Sequence, residues 1–173
     1  MNTAVISPFI TTDHGLFFFE FERQFMEAGF RCIPMCVRYK LDITGIKLKL
    51  ETWCKLNHKE RFNLATLACF TAEDIARYDA YLVELIHQYD SGEPVRIPKG
   101  LSIEDRTVEI YEQVRDKCSQ YDIRLLWNDW MSLTELERFA LSKLYRPGHE
   151  SKNFVPALKE FGLLNKWTDI GNE

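Results

Sequence analysis

The stretch YRPGHESKNF, residues 145–154, gathers Arg146, His149, Glu150, Lys152 and Asn153 behind a Pro147-Gly148 break. Polar groups concentrated on a loop that rigid helices hold in place are a usual way to build a site. Two readings of the loop stand side by side. In one it is a binding surface. In the other it is a charged helix entry, with Asn153 capping a helix that includes Phe154, Leu158 and Phe161, Pro156 tolerated in its first turn and Gly162 at its stop. A general acid and base role for His149 beside Glu150 is conceivable, but nothing in the sequence supplies a nucleophile or a cofactor to go with it.

The rest of the chain offers little else that could do chemistry. It has no Gly-rich phosphate loop, no G-x-S-x-G elbow, no H-E-x-x-H and no Cys-x-x-Cys pair. Cys32 and Cys36 share a helical face at four-residue spacing. Pro34 separates them, however, and no second pair completes a tetrahedral site, so they read as core packing and no metal site is expected. The five cysteines are odd in number and mostly sit inside apolar patterns, where a thiol behaves as a small hydrophobe; that usage suggests a reducing compartment. His58, next to Asn57, reads as a solvated first-turn residue and His87 as a packed or surface one. His14 falls in the N-terminal tail. A net charge of −4 over 173 residues supplies no field attractive to phosphate backbones, which argues against a nucleic-acid partner. The N-terminus lacks a basic n-region and the LFFF run at 16–19 is far below a membrane span, so no secretory signal and no membrane partner are expected and the location reads as cytoplasmic.

The elements that would position these residues come in two copies. Sliding the chain against itself by 77 positions aligns Ile33–Leu67 with Ile110–Leu144, and 13 of the 35 positions agree, Trp53/Trp130, Glu60/Glu137 and Arg61/Arg138 among them. Random pairing would give about two. Each copy reads helix, turn, short helix, helix. Ile33, Val37 and Lys40, and likewise Ile110, Val114 and Cys118, keep the spacing of one buried helical face. Gly45 marks a helix end. Asn57-x-x-Glu60 and Thr134-x-x-Glu137 are capping boxes. Trp53 and Trp130 precede them as locks between helices, and Phe62, Leu64, Leu67 and their counterparts continue the core. Arg61 and Arg138 are expected to be structural, bonded to carbonyls or paired with carboxylates between the copies, with a binding role as the lesser reading.

Thr71-x-x-Asp74 opens a helix to about Asp90, and Ser102 can cap the helix that starts the second copy. The N-terminal LFFFEFERQF fits both a helix and an alternating strand; the helix is preferred. The expectation is an all-α fold: a single globular domain at 17–164 built from two duplicated helical units with pseudo-two-fold symmetry. The repeat units would run over about 26–90 and 103–164, joined by a linker at 91–102, with a flexible N-terminal tail at 1–16 and a C-terminal tail at 165–173.

Two segments, RCIPMCVRYKLD with GIKLKLETW and ER at 31–61, and W, LT and ERFALSKLYRPGHESKNFVPALKEFGL at 130–163, resemble the nitrate reductase-associated protein family, known chiefly from cyanobacteria. The resemblance covers roughly residues 17–164. It implies an accessory protein of assimilatory nitrate reduction, needed for an active nitrate reductase and not itself an enzyme. Because the cyanobacterial-type reductase carries a molybdopterin cofactor and an iron–sulfur cluster, it implies a maturation or assembly role through contact with the nitrate reductase polypeptide. Handling of the pterin cofactor, or regulation of the reductase, are the alternatives. The family brings no established catalytic residues and no cofactor of the protein's own. What carries over is the motif: Arg31, Cys32, Pro34, Arg38, Lys40 and Asp42 in the first segment, and Arg146, Pro147, His149, Glu150, Lys152, Asn153 and Phe154 in the second. The expected partner-binding residues are therefore Arg146, His149, Glu150, Lys152 and Asn153, with Arg31, Arg38 and Lys40.

Overall fold

Capping boxes set the helix starts in the computed structural model of the chain, which describes residues 9–11, 17–98, 103 and 105–164. Asn57 Oδ1 accepts the Glu60 N–H at 3.0 Å while the Glu60 carboxylate accepts the Asn57 N–H at 2.8 Å. Thr71 with Asp74, and Thr134 with Glu137, make the same reciprocal pair. Each satisfies two of the N–H groups that a helix start leaves without an intrahelical acceptor. The helices behind them are α4 (His58–Thr66), α5 (Ala72–Tyr89) and α8 (Glu135–Leu144). The described residues are mostly helical and fall into two compact units, residues 9–98 and residues 103–164.

The first unit opens with strand β1 (Phe9–Thr11) antiparallel to β2 (Phe17–Phe19), in the register Phe9 opposite Phe19. A 3-10 turn at Glu20–Glu22 and helix α1 (Arg23–Glu27) follow. Phe18 and Phe19 are buried, and so is Glu22. The Glu22 carboxylate accepts the N–H of Phe19 at 3.0 Å and of Met35 at 2.9 Å. A buried carboxylate is tolerable when hydrogen bonds of this kind satisfy it. It also ties β2 to the start of helix α2 (Met35–Thr44). Gly45, at φ +70, ends α2 in the left-handed conformation that suits glycine. Strand β3 (Ile46–Lys47) and helix α3 (Leu50–Lys55) lead to α4 and α5, and β4 (Val95–Arg96) returns antiparallel to β3. Val37, Trp53, Leu64, Tyr78 and Leu82 form the centre of this unit, and the Tyr78 hydroxyl donates to the Leu64 carbonyl at 3.0 Å.

The second unit comprises α6 (Thr107–Ser119), α7 (Trp127–Ser132), α8, a 3-10 turn at His149–Asn153 and α9 (Phe154–Glu160). Val114, Cys118, Trp130, Phe139, Leu141, Phe154 and Leu158 are fully buried in it.

Local geometry recurs at positions 77 apart. Asp122 takes φ +57 where Gly45 takes +70. Leu56 and Leu133 both end a short helix in the extended conformation, each donating its N–H to the preceding tryptophan carbonyl at 3.2 Å. Trp53 Nε1 donates to Phe30 O at 3.2 Å, and Trp130 Nε1 to Thr107 Oγ1 at 3.1 Å.

Several expectations are corrected. LFFFEFERQF does not form one helix: Phe17–Phe19 are β2, because pairing with β1 satisfies an extended backbone that the alternating phenylalanines allow, a 3-10 turn follows, and the chain is α-helical only from Arg23. Residues 9–11, expected in the tail, are β1. Two short antiparallel pairs thus qualify the all-α expectation. Phe62 is not in the core but exposed, whereas Phe139 is buried. Residues 95–96 of the expected linker are a paired strand, and Arg96 holds Asp79 on α5 through two hydrogen bonds, at 2.7 and 3.0 Å. The proposed Ser102 cap, His14 and the tail at 165–173 lie outside the described residues.

Candidate functional site

Helix α8 ends at Tyr145, whose N–H donates to Leu141 O at 3.0 Å. Gly148 then takes φ +153 and ψ −176, a backbone region closed to side chains, and redirects the chain. Ser151 fixes the turn by donating both its N–H (3.1 Å) and its hydroxyl (2.7 Å) to Gly148 O. On this frame Arg146, His149, Glu150 and Lys152 are all exposed. Arg146 is positioned as well as exposed. Its Nε lies 3.4 Å from the Tyr145 hydroxyl and its guanidinium 5.7 Å from the Tyr145 ring centre, while that hydroxyl donates to Gln113 Oε1 on α6 at 2.7 Å. Nearby, Arg106, the residue before α6, donates to Glu109 through two bonds of 2.9 Å and so holds the Glu109 carboxyl below the usual range, with Arg146 adding to the effect. The loop therefore brings together four of the expected contact residues. Asn153 is not among them: it is buried, and it precedes α9 without a side-chain cap bond.

The first-segment residues belong to the other unit. Arg31 is exposed and Arg38 half-buried. Lys40 is corrected outright. It sits on the buried face of α2, where its Nζ donates to the carbonyls of Ala65 and Leu67, both at 2.7 Å, and of Leu64 at 3.4 Å. These are orphan carbonyls at the C-terminal end of α4, and a cation there also meets the negative end of the helix dipole. Burial nevertheless pulls the Lys40 ammonium below the ordinary lysine value. The side chain presents no charge to a partner.

Arg61 and Arg138 also turn inward, each within its own unit. Arg61 donates to the carbonyls of Trp53 (3.2 Å) and Cys54 (2.8 Å), with the Phe30 ring 4.5 Å from its guanidinium. Arg138 Nη1 donates to Leu133 O at 2.8 Å. Cys36 is buried, which pushes its thiol up to about 12 and leaves it a poor ligand or nucleophile. Among the described residues no group of three or more His, Cys, Asp or Glu is placed to hold a metal ion, and no helix is long and apolar enough to cross a membrane.

A second feature escaped sequence reasoning. Beside α6 an open cleft of about 450 Å³ is lined by Tyr111, Arg115 and Ser119 and by residues 122–126. Leu126 in its lining and the neighbouring Trp127 are exposed, and Trp127 stacks edge-on against Tyr111 with ring centres 4.9 Å apart. The available signal was Trp127 with Met131, an apolar pair at four-residue spacing on the short helix, both exposed.

Residues 18–161 match the family described as conserved nitrate reductase-associated protein. No curated protein and no solved structure matches the chain.

Proposed function

Because the chain belongs to the nitrate reductase-associated protein family, we propose that it is an accessory protein of assimilatory nitrate reduction that contacts the nitrate reductase polypeptide and assists its maturation or assembly. The family match carries this reading. The exposed Arg146, His149, Glu150 and Lys152, presented on a loop that Gly148 and Ser151 shape, support a contact role. Arg31, the exposed cation of the other motif segment, is a secondary contact. We also infer that the two units are copies of one helical ancestor, a reading favoured by the 13 aligned identities and by the recurring geometry at Gly45/Asp122, Leu56/Leu133 and Trp53/Trp130.

Immobilised full-length chain tests the role directly. It should retain the apo-reductase and release it, or bind it more weakly, once the reductase has its cofactors. Equal failure to retain either form would remove the accessory reading, and molybdopterin bound in the absence of the reductase would replace it with a pterin-handling one.

A further inference from the structure

The chain that leaves α5 is held down by charge more than by apolar contact. After Asp90 it returns along β3, with Val95 opposite Lys47, Arg96 opposite Ile46, and the Ile97 N–H donated to Gly45 O at 2.7 Å. The paired stretch is short, and the side chains on either side of Arg96 bury little: Val95 is 51% exposed and Ile97 52%. Residues of an antiparallel ladder alternate in the direction of their hydrogen bonds, so Val95 and Ile97 bond toward β3 and Arg96 turns its N–H outward. Pro94 and Pro98 have no N–H to offer. Among the described residues no further strand pairs with β4.

Exposed ion pairs supply the anchorage. Arg96 makes two bonds to Asp79 on α5, at 2.7 and 3.0 Å. Lys49, just past β3, meets Asp90 at 2.6 Å, and His87 Nε2 lies 3.4 Å from Glu93. These contacts leave an electrostatic mark: Asp79 raises the Arg96 guanidinium above its ordinary value, and Lys49 holds the Asp90 carboxyl below the usual range. Exposed pairs each contribute little and weaken as salt screens them. The helix beneath is held differently, since Tyr78, Leu82, Leu85 and Ile86 of α5 are buried.

We propose that residues 91–98 are an ion-held strap, which unlatches from β3 and α5 while the helices of the first unit stay folded, so that the edge of β3 is covered at low ionic strength and bared when charge is screened. Segments with few buried contacts open at free energies below that of global unfolding. Unlatched, Gly45 O and the backbone of Lys47 lose their partners and Asp79 loses Arg96. The strap thus gates a short strand edge beside an acidic group. The proposal is independent of the accessory reading.

Amide hydrogen exchange of the full chain, followed residue by residue at one pH in about 0.05 M and about 0.5 M NaCl, tests it. The Ile97 amide should be protected about tenfold less than that of Leu82, and its exchange should rise about threefold at the higher salt while Leu82 stays unchanged. Asp79→Asn should raise Ile97 exchange at the lower salt by a similar factor and reduce the salt dependence. If that substitution disturbs α5, Arg96→Gln, on the strap itself, replaces it. Equal protection of Ile97 and Leu82 would mean that the strap opens only with the whole unit and would overturn the proposal. So would an Ile97 rate that is indifferent to salt, or one that both substitutions leave unchanged.

Discussion

Lys40 illustrates how a charged residue can obey the rules of a core position. Its place in the helical spacing with Val37 was visible in the sequence, but spacing does not say where the end of a charged side chain goes. The answer lies 25 residues away, at the C-terminal carbonyls of α4. Those carbonyls are the physical reason the ammonium is tolerated, and Lys40→Met removes their donor. A cost of about 2 kcal/mol at neutral pH is expected, because buried acceptors lose their partners. The pH dependence has a definite sign. Burial depresses the folded-state value below the ordinary 10.5, so between the two values the unfolded chain holds more protons than the folded one, and stability rises with pH. The wild-type advantage over Lys40→Met should therefore grow as pH climbs toward 10.5 and shrink as pH falls through the folded value, measured by urea unfolding at a series of pH values. An advantage that declines with rising pH would mean that the carbonyls, and not burial, dominate the ammonium.

Element boundaries were the most legible part of the fold, because capping boxes and a terminal glycine are local chemistry. Asn57, Thr71 and Thr134 each cap as their sequences indicate. What the pattern did not settle were strands of two or three residues: the alternation in LFFFEFERQF suited a helix as well, and β3 and β4 are too short to show a period and are held by pairing across the fold. Tertiary packing likewise leaves Phe62 exposed while its aligned Phe139 is buried. The helix end at Asp122 also departs from its counterpart: an aspartate at φ +57 pays a steric cost that Gly45 avoids. Asp122→Gly should accordingly stabilise the chain by roughly 0.5–1 kcal/mol, read as a higher urea midpoint with an unchanged slope. A lower midpoint would show that the Asp122 side chain contributes more to folding than its backbone conformation costs.

At the scale of the molecule, the chain divides into two compact units that can be tested against each other. The candidate contact loop could be found in the sequence because its polar residues gather behind a Pro147-Gly148 break, while the cleft at 122–126 could not, since its lining comes from segments that only the fold brings together. If contact with the reductase is local to the loop, what matters is where charge is changed and not how much. Arg146→Glu with Lys152→Glu and Lys47→Glu with Lys59→Glu both replace two exposed cations by anions, and either pair takes the net charge from −4 to −8. Both should leave stability within about 0.5 kcal/mol per site, as exposed substitutions do. Long-range repulsion would act on the two variants alike, because net charge sets the far field. The loop pair should therefore abolish support of reductase activity and of growth on nitrate, while the first-unit pair retains both and growth on ammonium is untouched. Equal loss in the two variants would assign the effect to overall charge and move the contact away from residues 146–152.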